Sequence, residues 1–285
     1  MNMFSAFFKL IRWPNLFFIA LTQFLFKFFI IDDFIYKVQL HEVGHAKLPQ
    51  PLFFVLVLAS VCIAAAGYII NDYFDLNIDL VNKPEKLIIE KFVKRRWAIV
   101  LHIILSAMGL VLSLYVGYKI HNYFIPFFNL IVILALWFYS TTFKKKLLVG
   151  NVIISLLTAW VILVLTLAEY RFNVGETEHA WRQLVKISSV YAAFAFILSL
   201  VREVIKDMED MPGDAKYGCH TMPIVWGIRV SKVFSGVWLV VLTGAVVMIG
   251  FYLVQLGWWL GVVYSFVAII LPLAWVMRKL YEAQS

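Results

Sequence analysis

Long unbroken apolar runs set the pattern of this chain. Runs with little or no charge recur at roughly 14–36, 50–71, 97–118, 121–141, 147–168, 187–206, 231–254 and 257–278, each close to the ~20 residues a helix needs to cross about 30 Å of hydrocarbon. Continuous runs predict membrane helices, whereas barrel strands would alternate. Polar residues fall in short connections. The third and fourth runs meet at a tight turn around Lys119 to Asn122, and Pro14 opens the first run, where proline is tolerated. The segment before it, Phe4 to Pro14, reads as an amphipathic lead-in lying at the interface.

The pattern changes abruptly after the second run. Leu52 to Ile70 carries no charge, and NDYFDLNID, Asn71 to Asp79, follows at once. Asp72, Asp75 and Asp79 are spaced i, i+3, i+7, which places them on one face of a helix. Three such carboxylates repel one another, and acids at a membrane are costly without compensation. A polar helix end emerging into water is the plain reading. A bound divalent cation is the sharper one, because Mg²⁺ is typically shared between a few carboxylates and a substrate phosphate. A second acidic stretch, VREVIKDMEDMPGD, ends the sixth run, with Glu203, Asp207, Asp210 and Asp214 again on one helical face. Pro212-Gly213 predicts that this helix breaks there and leaves Asp214 on a loop. Both stretches follow even-numbered runs, so topology assigns them to the same side.

Composition narrows the class. With 63% hydrophobic, 17% aromatic and only 15% charged residues, the chain reads as all-α and polytopic, a single membrane domain over residues 1–285. The net charge of +8 does not point to nucleic acid. Most Lys and Arg sit before the first run, in 83–96, 144–146 and 202–232, and at the C-terminus, the excess that marks the cytoplasmic side of a plasma-membrane protein. Lys9 and Arg12 before an apolar run superficially suggest a signal peptide. That run is too long and lacks a cleavage site, so a retained first helix is expected. Cys62 and Cys219 imply neither a disulfide framework nor a metal cluster. His41 and His45 have zinc-ligand spacing, but no third ligand is nearby. Nothing in the chain calls for an obligatory protein partner.

Two acidic helix ends, nearby bases and an apolar bundle specify a substrate with a diphosphate head and a hydrocarbon tail. Mg²⁺ on Asp72, Asp75, Asp207 and Asp210 would make the diphosphate a better leaving group. Lys206, Lys144 to Lys146 and Arg12 would absorb further negative charge as its bond to carbon lengthens. Aromatic faces would steady the departing allylic cation and an apolar wall would keep out water. A cation transporter is the rival from another class; it calls for acids at mid-membrane depth instead of at helix ends beside a basic loop.

NDYFDLNID resembles the NDxxDxxxD signature of the UbiA superfamily of intramembrane prenyltransferases, and KDMEDMPGD resembles its second, DxxDxxxD-type signature. The run from Tyr139 through Ser140 and the lysines to Gly150-Asn151, and the TMPI run ending at Ile224, are also similar. The resemblance covers about residues 10 to 255. It implies eight to nine spans around a central lipid-open cavity, two Mg²⁺ ions, and transfer of a prenyl group from its diphosphate to a lipophilic acceptor within membrane lipid. It implies metal ligation by Asp72, Asp75, Asp79, Asp207, Asp210 and Asp214. Diphosphate binding falls to Asn71, Lys206, Lys144, Lys146, Arg12 and Tyr139. REVIKDMEDMPGD and NDYFDLNIDLVNKPEK look most like the digeranylgeranylglyceryl phosphate synthase branch, which prenylates a glycerol-phosphate hydroxyl. Aromatic acceptors of quinone biosynthesis are the alternative. Where relatives carry an RPIPSG-like segment this chain has KLIIEK, Lys86 to Lys91, and against nine spans in most members eight are read, which implies a missing last helix.

Overall fold

The structure, a computed structural model, describes residues 3–39, 47–170 and 178–283. His41 and His45 lie outside the described residues. All eight apolar runs are membrane-length helical spans: Trp13–Ile35, Gln50–Asn82, Arg95–Lys119, Phe124–Thr141, Val149–Glu169, Ala180–Lys216, Gly227–Gln255 and Trp259–Glu282. Isolated pairing between Ile89 and Val93 is a single bridge, and no sheet forms among the described residues. The lead-in is a separate short helix, α1 (Met3–Leu10). Arg12, in left-handed backbone (φ 52°, ψ 55°), turns the chain into α2 (Trp13–Leu25), with Pro14 in its first turn.

The chain packs as two compact units, residues 1–143 with 156–193, and residues 144–155 with 194–285. In the first unit α3 (Gln50–Asn82) is the central helix, flanked by α1, α2, α4 (Arg95–Lys119) and α5 (Phe124–Thr141). Leu10, Ile11, Leu16, Ala65, Ile69, Ile89 and Ala98 form a buried cluster that locks the lead-in against α3. Close approach of α3 and α4 depends on Gly109: a Cβ there would lie 2.5 Å from Ile63 Cγ1 and 3.1 Å from the Ala59 carbonyl oxygen. Small residues allow such contact where lipid offers no hydrophobic drive for association.

Beyond Leu25 the first span continues as a π-helix, Phe26–Gln39. That winding closes a turn over five residues and sets Lys27 beside Asp32, Nζ to Oδ1 2.8 Å. Lys27 is 1% exposed and also pairs with Glu169, at the end of α6 (Val149–Glu169), at 3.1 Å. Glu169 in turn accepts the backbone N–H groups of Lys47 (2.6 Å) and Leu48 (3.3 Å). Ions this deep persist only when paired and hydrogen-bonded. Glu169→Ala is therefore expected to cost on the order of 3–5 kcal/mol, measured as a lower thermal midpoint in detergent.

In the second unit α9 (Gly227–Gln255) packs on α8 (Met222–Val225), α10 (Trp259–Tyr264) and α11 (Leu271–Glu282). Val201, Leu239, Leu242 and Leu273 form the buried cluster. One expectation is corrected here. The helix carrying the second acidic stretch, α7 (Glu178–Lys216), does not break at Pro212-Gly213 but runs on, so Asp214 is helical. A proline removes one backbone donor, a loss that membrane helices tolerate. The actual stop is Gly218, at φ 69°. Gly218 N donates to Ala215 O (3.2 Å) and Cys219 N to Asp214 O (2.9 Å), the paired bonds of a glycine C-cap.

Candidate active site

Helix α3 runs through its apolar stretch and past Asp79 without a break, ending at Asn82. Asp72, Asp75 and Asp79 thus occupy one face of a continuous helix, each partly exposed. Two of the residues expected around them arrive there. Arg12, delivered by the left-handed turn between α1 and α2, donates through Nη2 to Asp72 Oδ1 at 2.7 Å, and its guanidinium lies 5.1 Å from the centre of the Tyr68 ring. Burial alone would lower the Arg12 pKa, but Asp72 more than offsets it and holds the group above its ordinary value. Asn71 Nδ2 donates to Asp75 Oδ2 at 2.8 Å, one helical turn on. Its buried Oδ1 has no hydrogen-bond partner among the described residues. Arg95 stacks over Tyr73 at 4.5 Å, so one base of the 94–96 run reaches the motif helix. Tyr139 lies in the last turn of α5.

The second motif repeats the i, i+3, i+7 spacing with Asp207, Asp210 and Asp214 on α7; Asp210 and Asp214 are buried. Asn151, on the first turn of α6, donates through Nδ2 to Asp207 Oδ2 at 2.8 Å. From sequence, Asn151 reads as part of a family-like run and as a helix-start asparagine, a cap or an interhelical hydrogen bond; the bond to Asp207 is the interhelical one. The 144–146 loop is tied to the segment after α7 by His220 N donating to Lys145 O at 2.8 Å. Lys144 is half-buried in this loop with its Nζ shielded from water, while Lys146 is exposed. Burial first, and then the positive charge of Lys206, push Lys144 down to about 7. Burial, followed by Asp214, pushes the Cys219 thiol up.

Lys144 carries a pH signature. Its folded value lies below the ordinary 10.5, so the unfolded chain binds this proton more tightly. The penalty for burying the charge is present in full below about pH 7 and is relieved as pH rises toward 10.5, so stability climbs across that window. Lys144→Met is expected to flatten the rise, measured as the thermal midpoint in detergent across that same range.

The donor set fits Mg²⁺. Every ligand offered is a hard oxygen, and the partnerless Asn71 Oδ1 adds an amide oxygen beside the first motif. Among the described residues no three His, Cys, Asp or Glu side chains form a ready-made cage. Mg²⁺ does not require one; it takes one or two carboxylates and completes its octahedron with phosphate oxygens and water.

A model of the UbiA prenyltransferase family matches residues 42–285. The chain belongs to that family. This UbiA chain is 36% identical over 188 residues to the digeranylgeranylglyceryl phosphate synthase of Methanothermobacter thermautotrophicus, across 64% of this chain and 59% of the relative. It is 32% identical over 238 residues to the enzyme of that name from Sulfurisphaera tokodaii, across 84% of this chain and 79% of the relative. The fold is shared with a solved structure described as digeranylgeranylglyceryl phosphate synthase in membranes, at TM-score 0.61 and 23% identity over 99% of this chain and 94% of that one. It is shared also with a UbiA homologue from Archaeoglobus fulgidus bound to GPP and Mg²⁺, at TM-score 0.58 and 14% identity over 93% of this chain and 86% of that one.

Proposed function

We propose that this protein is an Mg²⁺-dependent intramembrane prenyltransferase that moves a prenyl group, geranylgeranyl in the first instance, from its diphosphate to the hydroxyl of a glycerol-phosphate ether lipid. The observation that carries the reading is the pair of aspartate triads, each i, i+3, i+7 on an unbroken helix and each with a side-chain amide on one carboxylate. The names of the archaeal relatives support the acceptor class. The charge pattern of the connections supports a cytoplasmic position for both motifs.

Each triad would hold Mg²⁺, Asp72, Asp75 and Asp79 on α3 and Asp207, Asp210 and Asp214 on α7. When bound, Mg²⁺ neutralises the diphosphate and makes it a better leaving group. The chain's own part is charge placement and exclusion of water. Arg12 and Lys206 supply positive charge to the diphosphate as the carbon–oxygen bond breaks and the electron pair leaves with it. Aromatic and apolar side chains of the spans keep water from the allylic cation until the acceptor oxygen bonds to carbon and its hydroxyl proton is released.

The test is mass spectrometry of products from purified protein given geranylgeranyl diphosphate with either geranylgeranylglyceryl phosphate or an aromatic quinone precursor. The expected product is the doubly prenylated glyceryl phosphate. Transfer only to the aromatic acceptor overturns the acceptor assignment, and transfer to neither overturns the reading.

A further inference from the structure

Asn151 is the third residue of α6, and an asparagine near a helix start ordinarily caps it. Here it does not sit at the cap position, which belongs to Leu148, held in left-handed backbone at φ 57°. Its side chain instead reaches across 56 residues of sequence to Asp207. Asn151 is only 7% exposed, so its end of this bond is shielded from bulk water. It is the amide NH₂ that faces Asp207, donating to Oδ2.

The two motifs align as NDYFDLNID and KDMEDMPGD, which puts Asp207 in the place of Asp72 and Lys206 in the place of Asn71. The first motif thus carries its amide within its own helix, and the second has a lysine at that position and takes its amide from α6. In both motifs the leading aspartate receives one side-chain donor from another element: Arg12 at 2.7 Å on Asp72, Asn151 at 2.8 Å on Asp207. A donor on one carboxylate oxygen fixes the plane of the group and leaves the other oxygen for a cation, the role of outer partners around metal ligands.

We infer that Asn151 is a positioning residue for the second motif, orienting Asp207 toward the magnesium diphosphate; the inference rests on the prenyl-transfer reading above. The experiment is electron paramagnetic resonance titration of Mn²⁺ into detergent-purified protein with inorganic diphosphate present, on wild type, Asn151→Ala, Asp207→Asn and the double variant. Asn151→Ala is expected to weaken Mn²⁺ binding about 10–100-fold while its thermal midpoint stays close to wild type. Once Asp207 is changed, removing Asn151 is expected to add no further loss, because both changes act on one carboxylate. Asn151→Ser serves in place of Asn151→Ala if the latter does not accumulate, with the same loss expected. Wild-type affinity in the Asn151 variant, additive losses in the double variant, or a wild-type protein that takes up no Mn²⁺ would each overturn the inference. Coupled losses in a protein that transfers no prenyl group would leave it standing and sink the prenyl-transfer reading alone.

Discussion

Asp75→Ala, purified in detergent, is expected to unfold near the wild-type temperature and to release almost no prenyl group from its diphosphate. The carboxylate is partly exposed and accepts the Asn71 amide, a hydrogen bond whose loss costs about 1 kcal/mol. The kinetic cost is far larger. A Lewis-acid cation supplies several kcal/mol to the transition state, so a displaced ion lowers the rate roughly 10³-fold or more. Asp210→Ala tests the second triad in the same way, and the two defects should be of similar size. Turnover within tenfold of wild type in either variant would remove the metal assignment.

Withdrawing the cation should have the largest effect of all. In EDTA the diphosphate would have to approach acidic triads whose carboxylates no metal cation offsets, and turnover is expected to vanish. Mg²⁺ or Mn²⁺ should restore it. Ca²⁺ should restore little, since it prefers 6–8 oxygen ligands at 2.3–2.6 Å over a compact octahedron. Undiminished turnover in EDTA, measured by product mass spectrometry, would exclude the proposed chemistry.

The spans were legible because each is an apolar run of membrane length, a signal independent of tertiary context. The ends were less so. The first triad sits deeper in its helix than hydropathy indicates, because α3 continues twelve residues beyond the last apolar run position, Ile70, to Asn82. Pro212-Gly213 misled for a related reason: a helix buttressed in a membrane protein absorbs one missing donor, and the true terminator, Gly218, is five residues past Gly213. Among site residues, the aspartates were visible by periodicity, which is a local property. The Arg12–Asp72 and Asn151–Asp207 bonds span 60 and 56 residues. No period encodes such distances, and a lone asparagine near a helix start looks the same whether it caps or reaches across. Lys144 was expected to absorb negative charge from the diphosphate; burial, and then the charge of Lys206, bring its pKa down to about 7.

The Lys27–Glu169 pair bears on the order in which the protein is made. The ribosome delivers the lysine 142 residues before the glutamate. Until the fifth span has emerged, the nascent chain holds an ammonium in the bilayer with Asp32 as its counter-ion and with the Lys47 and Leu48 amides still lacking their acceptor. Chains released before that point should therefore be poor at settling in the membrane and good clients for its proteases.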